Sequence, residues 1–113
     1  MLRAGEAHIE ALTRVGRALA DRIRCQVLLS LREGPAYPAD LADALGSSRS
    51  KLSNHLACLR GCGLVVAVPE GRRARYELAD SNLAGALSQL LGVVLAVDPD
   101  SVCADGCAVE VGW

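Results

Sequence analysis

Phenylalanine is missing from this 113-residue sequence, and two Tyr and one Trp bring aromatic side chains to only 3%. A core built on stacked rings is therefore excluded, and Leu, Val, Ala and Ile have to fill it. A single domain of this length buries a limited share of its surface, so pairing with a second copy would help. No apolar run approaches the roughly 20 residues that a membrane-crossing helix needs. The N-terminal stretch carries charges where a secretory signal would be continuously apolar. No membrane partner is expected, and the compartment is expected to be the cytoplasm. Internal repeats and low-complexity tracts are absent. So are a Gly-rich phosphate loop and any nucleophile, base and orienting acid at a usable spacing, which argues against an enzyme. Hydrophobic residues at 51% with 22% charge fit an ordinary globular chain.

Net charge is also nearly lacking, at −1, but it is unevenly spread. Residues 1–48 hold six Arg against six acids, and residues 76–113 hold six acids and no base. Between them, Arg49, Lys51, Arg60, Arg72, Arg73 and Arg75 face the single acid Glu70, a balance of +5. Polyanion binding follows the local field rather than the sum. An ordinary solvated face is the bland alternative.

Periodicity gives the elements. Ile9, Leu12, Val15, Ala18 and Leu19 recur at helical spacing, predicting a helix over 6–19. Asp21 is a candidate N-cap for a second helix over 22–32, carrying Ile23, Val27, Leu28 and Leu31 inward and stopped by Gly34-Pro35. Pro38 suits the first turn of a short third helix to Leu45, with Leu41, Ala42 and Leu45 facing the core and Gly46 ending it. Ser47 or Ser48 can cap a fourth helix to about Gly61, with Leu52, Leu56 and Leu59 as its buried stripe. The period then becomes extended: a strand over Leu64–Val68, a turn at Pro69-Glu70-Gly71, and a returning strand over Arg72–Leu78 with Ala74, Tyr76 and Leu78 on its buried face. A last helix over 81–97 places Leu83, Leu87, Leu90, Val94 and Val97 along a narrow seam of the kind two helices share. It is read as a dimer interface, possible with the first helix; packing within one subunit is the alternative. Residues 1–97 are taken as the DNA-binding and dimerisation domain, and 98–113 as a tail.

Helix, helix, turn, helix and hairpin in this order describe a mainly α, homodimeric winged helix-turn-helix. The second helix of such a motif enters the major groove. Its polar face here offers Arg49, Ser50, Lys51, Ser53, Asn54 and His55. Arg can pair bidentately with guanine and Asn with adenine, and Ser reaches phosphate. Arg72 and Arg73 at the hairpin tip would meet backbone or minor groove. Double-stranded operator DNA is the expected partner.

Cysteine is plentiful, at five. In a reducing compartment such thiols favour metal or redox chemistry over structural disulfides. Cys58 and Cys62 lie one turn apart on the helix that would touch DNA, and residues four apart have Cβ atoms about 5–6 Å apart, within reach of one ion. His8 and His55 are not expected to be ligands.

Several stretches resemble the ArsR/SmtB family of metal-responsive repressors across about residues 10–97. They are Leu19-Ala20-Asp21 with Arg24 and Val27-Leu28, then Asp40-Leu41-Ala42 with Leu45-Gly46. Ser53-Asn54-His55-Leu56, Leu59-Arg60, Gly63-Leu64-Val65 and Gly71-Arg72-Arg73 with Tyr76 follow. Cys58 and Cys62 together with Cys103 in the tail look like the cadmium- and lead-sensing branch of that family. The resemblance implies a homodimer that represses an efflux gene and leaves DNA when metal binds. Asp21-Arg22-Ile23-Arg24 departs from the usual Asp-Pro-Thr-Arg of the family, and the Cys-x-Cys found before the turn in many arsenic and cadmium sensors is absent.

Two helical thiolates need a third donor, and Cys103 is the best supplier. Three thiolates suit Cd(II) or Pb(II) better than Zn(II), whose structural sites take four ligands. Ligating thiols must lose protons, so affinity should fall with pH. Cys25 reads as a buried thiol, or else as part of a weaker second site with Cys107. A redox switch using Cys58 and Cys62, or Cys103 and Cys107, is the main alternative, although helical i,i+4 positions only marginally fit the Cα spacing of about 4.4–6.8 Å. A pure adaptor without DNA binding leaves the basic block unexplained.

Overall fold

In a computed structural model the described residues, 5–96, form five helices and a two-stranded hairpin. Helix α1 spans Gly5–Leu19, α2 Arg22–Glu33, α3 Pro38–Leu45 and α4 Arg49–Gly61. Strands β1 (Val65–Glu70) and β2 (Arg73–Leu78) follow, and α5 covers Ser81–Leu95. Cys103, Cys107 and Val97 lie outside the described residues.

The helix ends are set by short-range chemistry. The Asp21 carboxylate accepts the Arg24 amide at 3.0 Å and starts α2, as a side-chain acceptor does for otherwise orphaned first-turn donors. Pro38 occupies the first turn of α3, and Gly46, at φ 65°, closes that helix in the left-handed region with its amide on Ala42 and Asp43 carbonyls. Of the two serines considered, Ser48 is the cap of α4: its hydroxyl accepts the Lys51 amide at 3.2 Å.

Leu52, Leu56 and Leu59 are buried along α4 and meet Val27, Leu28 and Leu31 of α2 and Leu41 and Ala42 of α3. Ala18, Leu64 and Val65 complete this aliphatic core, which contains no buried polar residue among the described residues. The stripe of leucines at i, i+4 and i+7 thus fixes how α4 is rotated, and its polar face turns outward.

The hairpin differs in two ways from the sequence expectation. Glu70 pairs with Arg73 and Pro69 with Ala74, so the strand continues through Pro69 and Glu70, and the turn is Gly71-Arg72. Gly71 at φ 63° is the only positive φ in the turn, the pattern of a type II′ connection. A proline is tolerated because each strand of a two-stranded sheet has an open side. Nor does the outer face of β2 alternate cleanly. Arg75 is half-buried, paired with Glu70 and, at 3.7 Å, with Glu77.

An isolated bridge between Ala36 and Tyr76, with N–H to O distances of 2.9 and 2.8 Å, ties the α2–α3 connection to the hairpin. The arrangement is that of a winged helix-turn-helix: α3 and α4 form the motif, β1 and β2 the wing. α5 contacts α2 and β2 and has no buried residue.

Candidate DNA interface and thiol site

The polar side of α4 is the product of its buried side. With the leucine stripe inward, Arg49, Ser50, Lys51, Ser53 and Asn54 are all exposed. Arg72 and Arg73 are exposed at the wing tip. These seven of the residues singled out for DNA contact therefore stand on accessible surface.

His55 is the exception. Its side chain is only 17% accessible, with Nε2 3.8 Å from Asp21 Oδ1 and Nδ1 3.4 Å from Arg24 Nη1. A guanidinium has donors only, so Nδ1 is the accepting nitrogen and the Nε2 proton faces Asp21. Position 55 lies three residues after Leu52 and one before Leu56, on the shoulder of the buried stripe, so the ring packs inward instead of joining the exposed face.

Arg24, the partner of His55, is also the clamp on α1. Nε donates to Ala18 O at 2.9 Å and Nη2 to Arg17 O at 2.8 Å, placing a cation on the carbonyl end of that helix. The Arg24 amide bond, with help from His55 and the Arg24 charge and against burial, holds the Asp21 carboxyl below the usual range. Sequence reasoning identified Asp21 as a cap and missed this junction of α1, α2 and α4, because Arg24 and His55 are 31 positions apart.

Cys58 on α4 and Cys62 just past its end share one side of the helix, and Cys62 meets α1. Cys62 is the C-cap residue, and its amide bonds to Cys58 O at 3.0 Å, which keeps the i,i+4 spacing. Cys58 is exposed and Cys62 half-buried, both as free thiols. The Cys62 Sγ donates to Arg14 O of α1 at 3.8 Å. Burial pushes the Cys62 thiol up, with the neighbouring Cys58 adding to it and Arg14 and Arg24 opposing.

Two accessible, adjacent thiols form a soft donor pair. Among the described residues no group of three or more His, Cys, Asp or Glu is placed to hold an ion. Cys25, the candidate for a second site, donates to Leu19 O at 3.1 Å. It lines an apolar cleft with Leu28, Leu87, Leu90 and Val94. Burial raises its pKa, helped by Asp21.

No helix among the described residues is long and apolar enough to cross a membrane. Residues 21–66 match the family of bacterial regulatory proteins known as the arsR family. The HTH-type transcriptional regulator CmtR of Mycobacterium tuberculosis is 58% identical over 111 residues, 94% of either chain. An NMR structure of the cadmium metal-sensor of M. tuberculosis matches with 61% identity and a TM-score of 0.64, covering 81% of this chain and 96% of that one. A homodimeric winged helix-turn-helix DNA-binding domain from Mycobacterium bovis matches with a TM-score of 0.75 and 32% identity, over 80% and 83% of the two chains. With identity carried across nearly its whole length and the same helices and wing in place, this chain belongs to the arsR family of bacterial regulatory proteins, as a transcriptional regulator and not an enzyme.

Proposed function

We propose that the chain is a cytoplasmic repressor that binds operator DNA as a homodimer and is released when Cd(II) or Pb(II) is taken up by Cys58, Cys62 and Cys103. The observation that carries this reading is the pair of accessible thiols on the flank of α4, the helix whose outer face would read DNA. Cys103, in the segment outside the described residues, supplies the third sulfur, and three thiolates favour a soft, large ion over four-coordinate Zn(II).

The chain's own part in the switch follows from the contact to α1. Cys62 can ligate only as a thiolate, so it gives up the proton it donates to Arg14 O. Closing Cys58 and Cys62 onto Cys103 then pulls the end of α4 away from its tie to α1. Two half-sites of a dimer are read about 34 Å apart or at a multiple of that, so a small tilt of each α4 costs contacts at both. Coupling is reciprocal and typically about 1–3 kcal/mol, or roughly 5- to 150-fold in affinity.

Fluorescence anisotropy on a duplex selected by the metal-free protein tests this, with cadmium expected to weaken binding within that range. Thiolate-to-metal absorption in the near ultraviolet, followed in Cys58→Ser, Cys62→Ser and Cys103→Ser proteins, checks the ligands. Unchanged duplex affinity with cadmium bound would remove the sensor role while leaving the repressor. A second site at Cys25 and Cys107 requires more cadmium per protomer than Cys25→Ser or Cys107→Ser proteins retain.

A further inference from the structure

Tyr37 is not part of any motif, yet two groups of the wing meet on it, and a third holds one of them. Its ring lies under the Arg73 guanidinium, 3.7 Å from centroid to Cζ. Its hydroxyl donates to Glu70 at 2.5 Å, and this bond is the main reason its own proton is held more tightly than usual. Arg75 takes the other Glu70 oxygen and also pairs with Glu77. Glu70 is the direct cross-strand neighbour of Arg73, so without these contacts it would be the natural counter-charge for that arginine. Instead both wing carboxylates are occupied by Arg75 and Tyr37. The Arg73 side chain forms no hydrogen bond or ion pair among the described residues. Stacking uses the face of a guanidinium and leaves its N–H edge open.

The platform is itself held in place. Tyr37 is the N-cap residue of α3, and Ala36 before it is paired with Tyr76 of β2. The ring is thus fixed to both the helix-turn-helix and the wing.

We infer that Tyr37 is a positioning residue for DNA binding: its ring presents the Arg73 guanidinium as a preformed phosphate clamp, while Arg75 is the counter-charge that holds Glu70. The inference rests on the DNA-binding reading above. Arg is well suited to bidentate phosphate contact, and a side chain already immobilised loses less freedom on binding.

The test uses the full-length metal-free protein and a duplex selected by the wild type from random sequence. Each phosphate contact contributes about 0.9 to the slope of log affinity against log salt, so losing one per protomer lowers the slope of a dimer by about 1.8. Tyr37→Leu is expected to lose about that much, as is Arg73→Ala, and the double variant no more than Arg73→Ala alone. Tyr37→Phe, which keeps the ring and leaves Arg75 on Glu70, is expected to keep the wild-type slope. A merely structural role would reduce affinity and thermal midpoint in Tyr37→Leu without changing the slope, and that result overturns the inference. Equal losses in Tyr37→Phe and Tyr37→Leu also overturn it. Failure of the wild type to select any duplex overturns the DNA-binding reading itself.

Discussion

Asp21 concentrates several roles in one carboxylate. It caps α2 through the Arg24 amide, faces the His55 ring of α4, and lies next to the arginine that holds the end of α1. Removing the cap with Asp21→Ala is expected to cost about 1 kcal/mol, within the usual spread of roughly 0.5–2. The pH dependence separates cap from charge. Because the folded-state pKa is lowered, the charge stabilises the fold above the unfolded carboxylate value of about 3.9. That contribution is lost as pH falls through the depressed folded value. Asn is as good a cap but carries no charge. Asp21→Asn should therefore keep the cap but lie below the wild type at neutral pH by the contribution of the charge, lose this acid-side fall, and approach the wild type at low pH. Urea unfolding at fixed protein concentration, from about pH 6 to below about pH 3, checks both variants. An Asp21→Asn profile that falls as steeply as the wild type would assign the acid sensitivity to other groups.

The helices were the legible part of this chain because their signals are local. Leu52, Leu56 and Leu59 announce α4 by spacing alone, and Ser48 and Gly46 mark its approach. The wing was half legible. Alternation locates both strands, but Pro69-Glu70-Gly71 reads as a turn while the strand runs on through Glu70, since proline is tolerated where only two strands pair. The inward turn of His55, the Arg24 clamp and the Tyr37 platform could not be read, since each joins positions far apart in sequence. Residue types showed the thiol pair, but not its contact to Arg14. For the α3–α4 turn, the structure gives a specific energetic expectation. Gly46 sits at φ 65° with nothing within 4 Å of the position a Cβ would take. The cost of Gly46→Ala is therefore backbone conformation without a steric clash, about 1–2 kcal/mol. Leu52→Ala, in the fully buried stripe, should cost more, about 2–5 kcal/mol. Chemical denaturation that ranks the two in the opposite order would show that the turn, and not the leucine stripe, dominates the placement of α4.

Helix α5 packs Leu83 and Leu87 against the core but leaves much of its apolar surface uncovered. It is rich in Leu, Val and Ala, yet none of its residues is buried, and Leu90, Val93, Val94 and Leu95 are 48%, 66%, 56% and 76% accessible. Ile9 and Leu12 of α1 are exposed as well, at 60% and 73%. Exposed apolar side chains of this kind are the material of interfaces, and in the proposed homodimer the seam of α5 is where a second copy would dock, the exposed apolar face of α1 being the other candidate. Leu90 and Val94 also line the cleft that contains Cys25 and Leu28, so the same contact would cover that thiol. Leu90→Asp places a charge in this seam without touching the core that seats α4. Its expected result is a monomer by sedimentation with helical content retained. Because linking two half-site readers commonly raises affinity by about 10²–10⁴, duplex binding should fall by about a hundredfold or more. A Leu90→Asp protein that stays dimeric and binds the duplex undiminished would move the interface off α5 and onto another face of the chain.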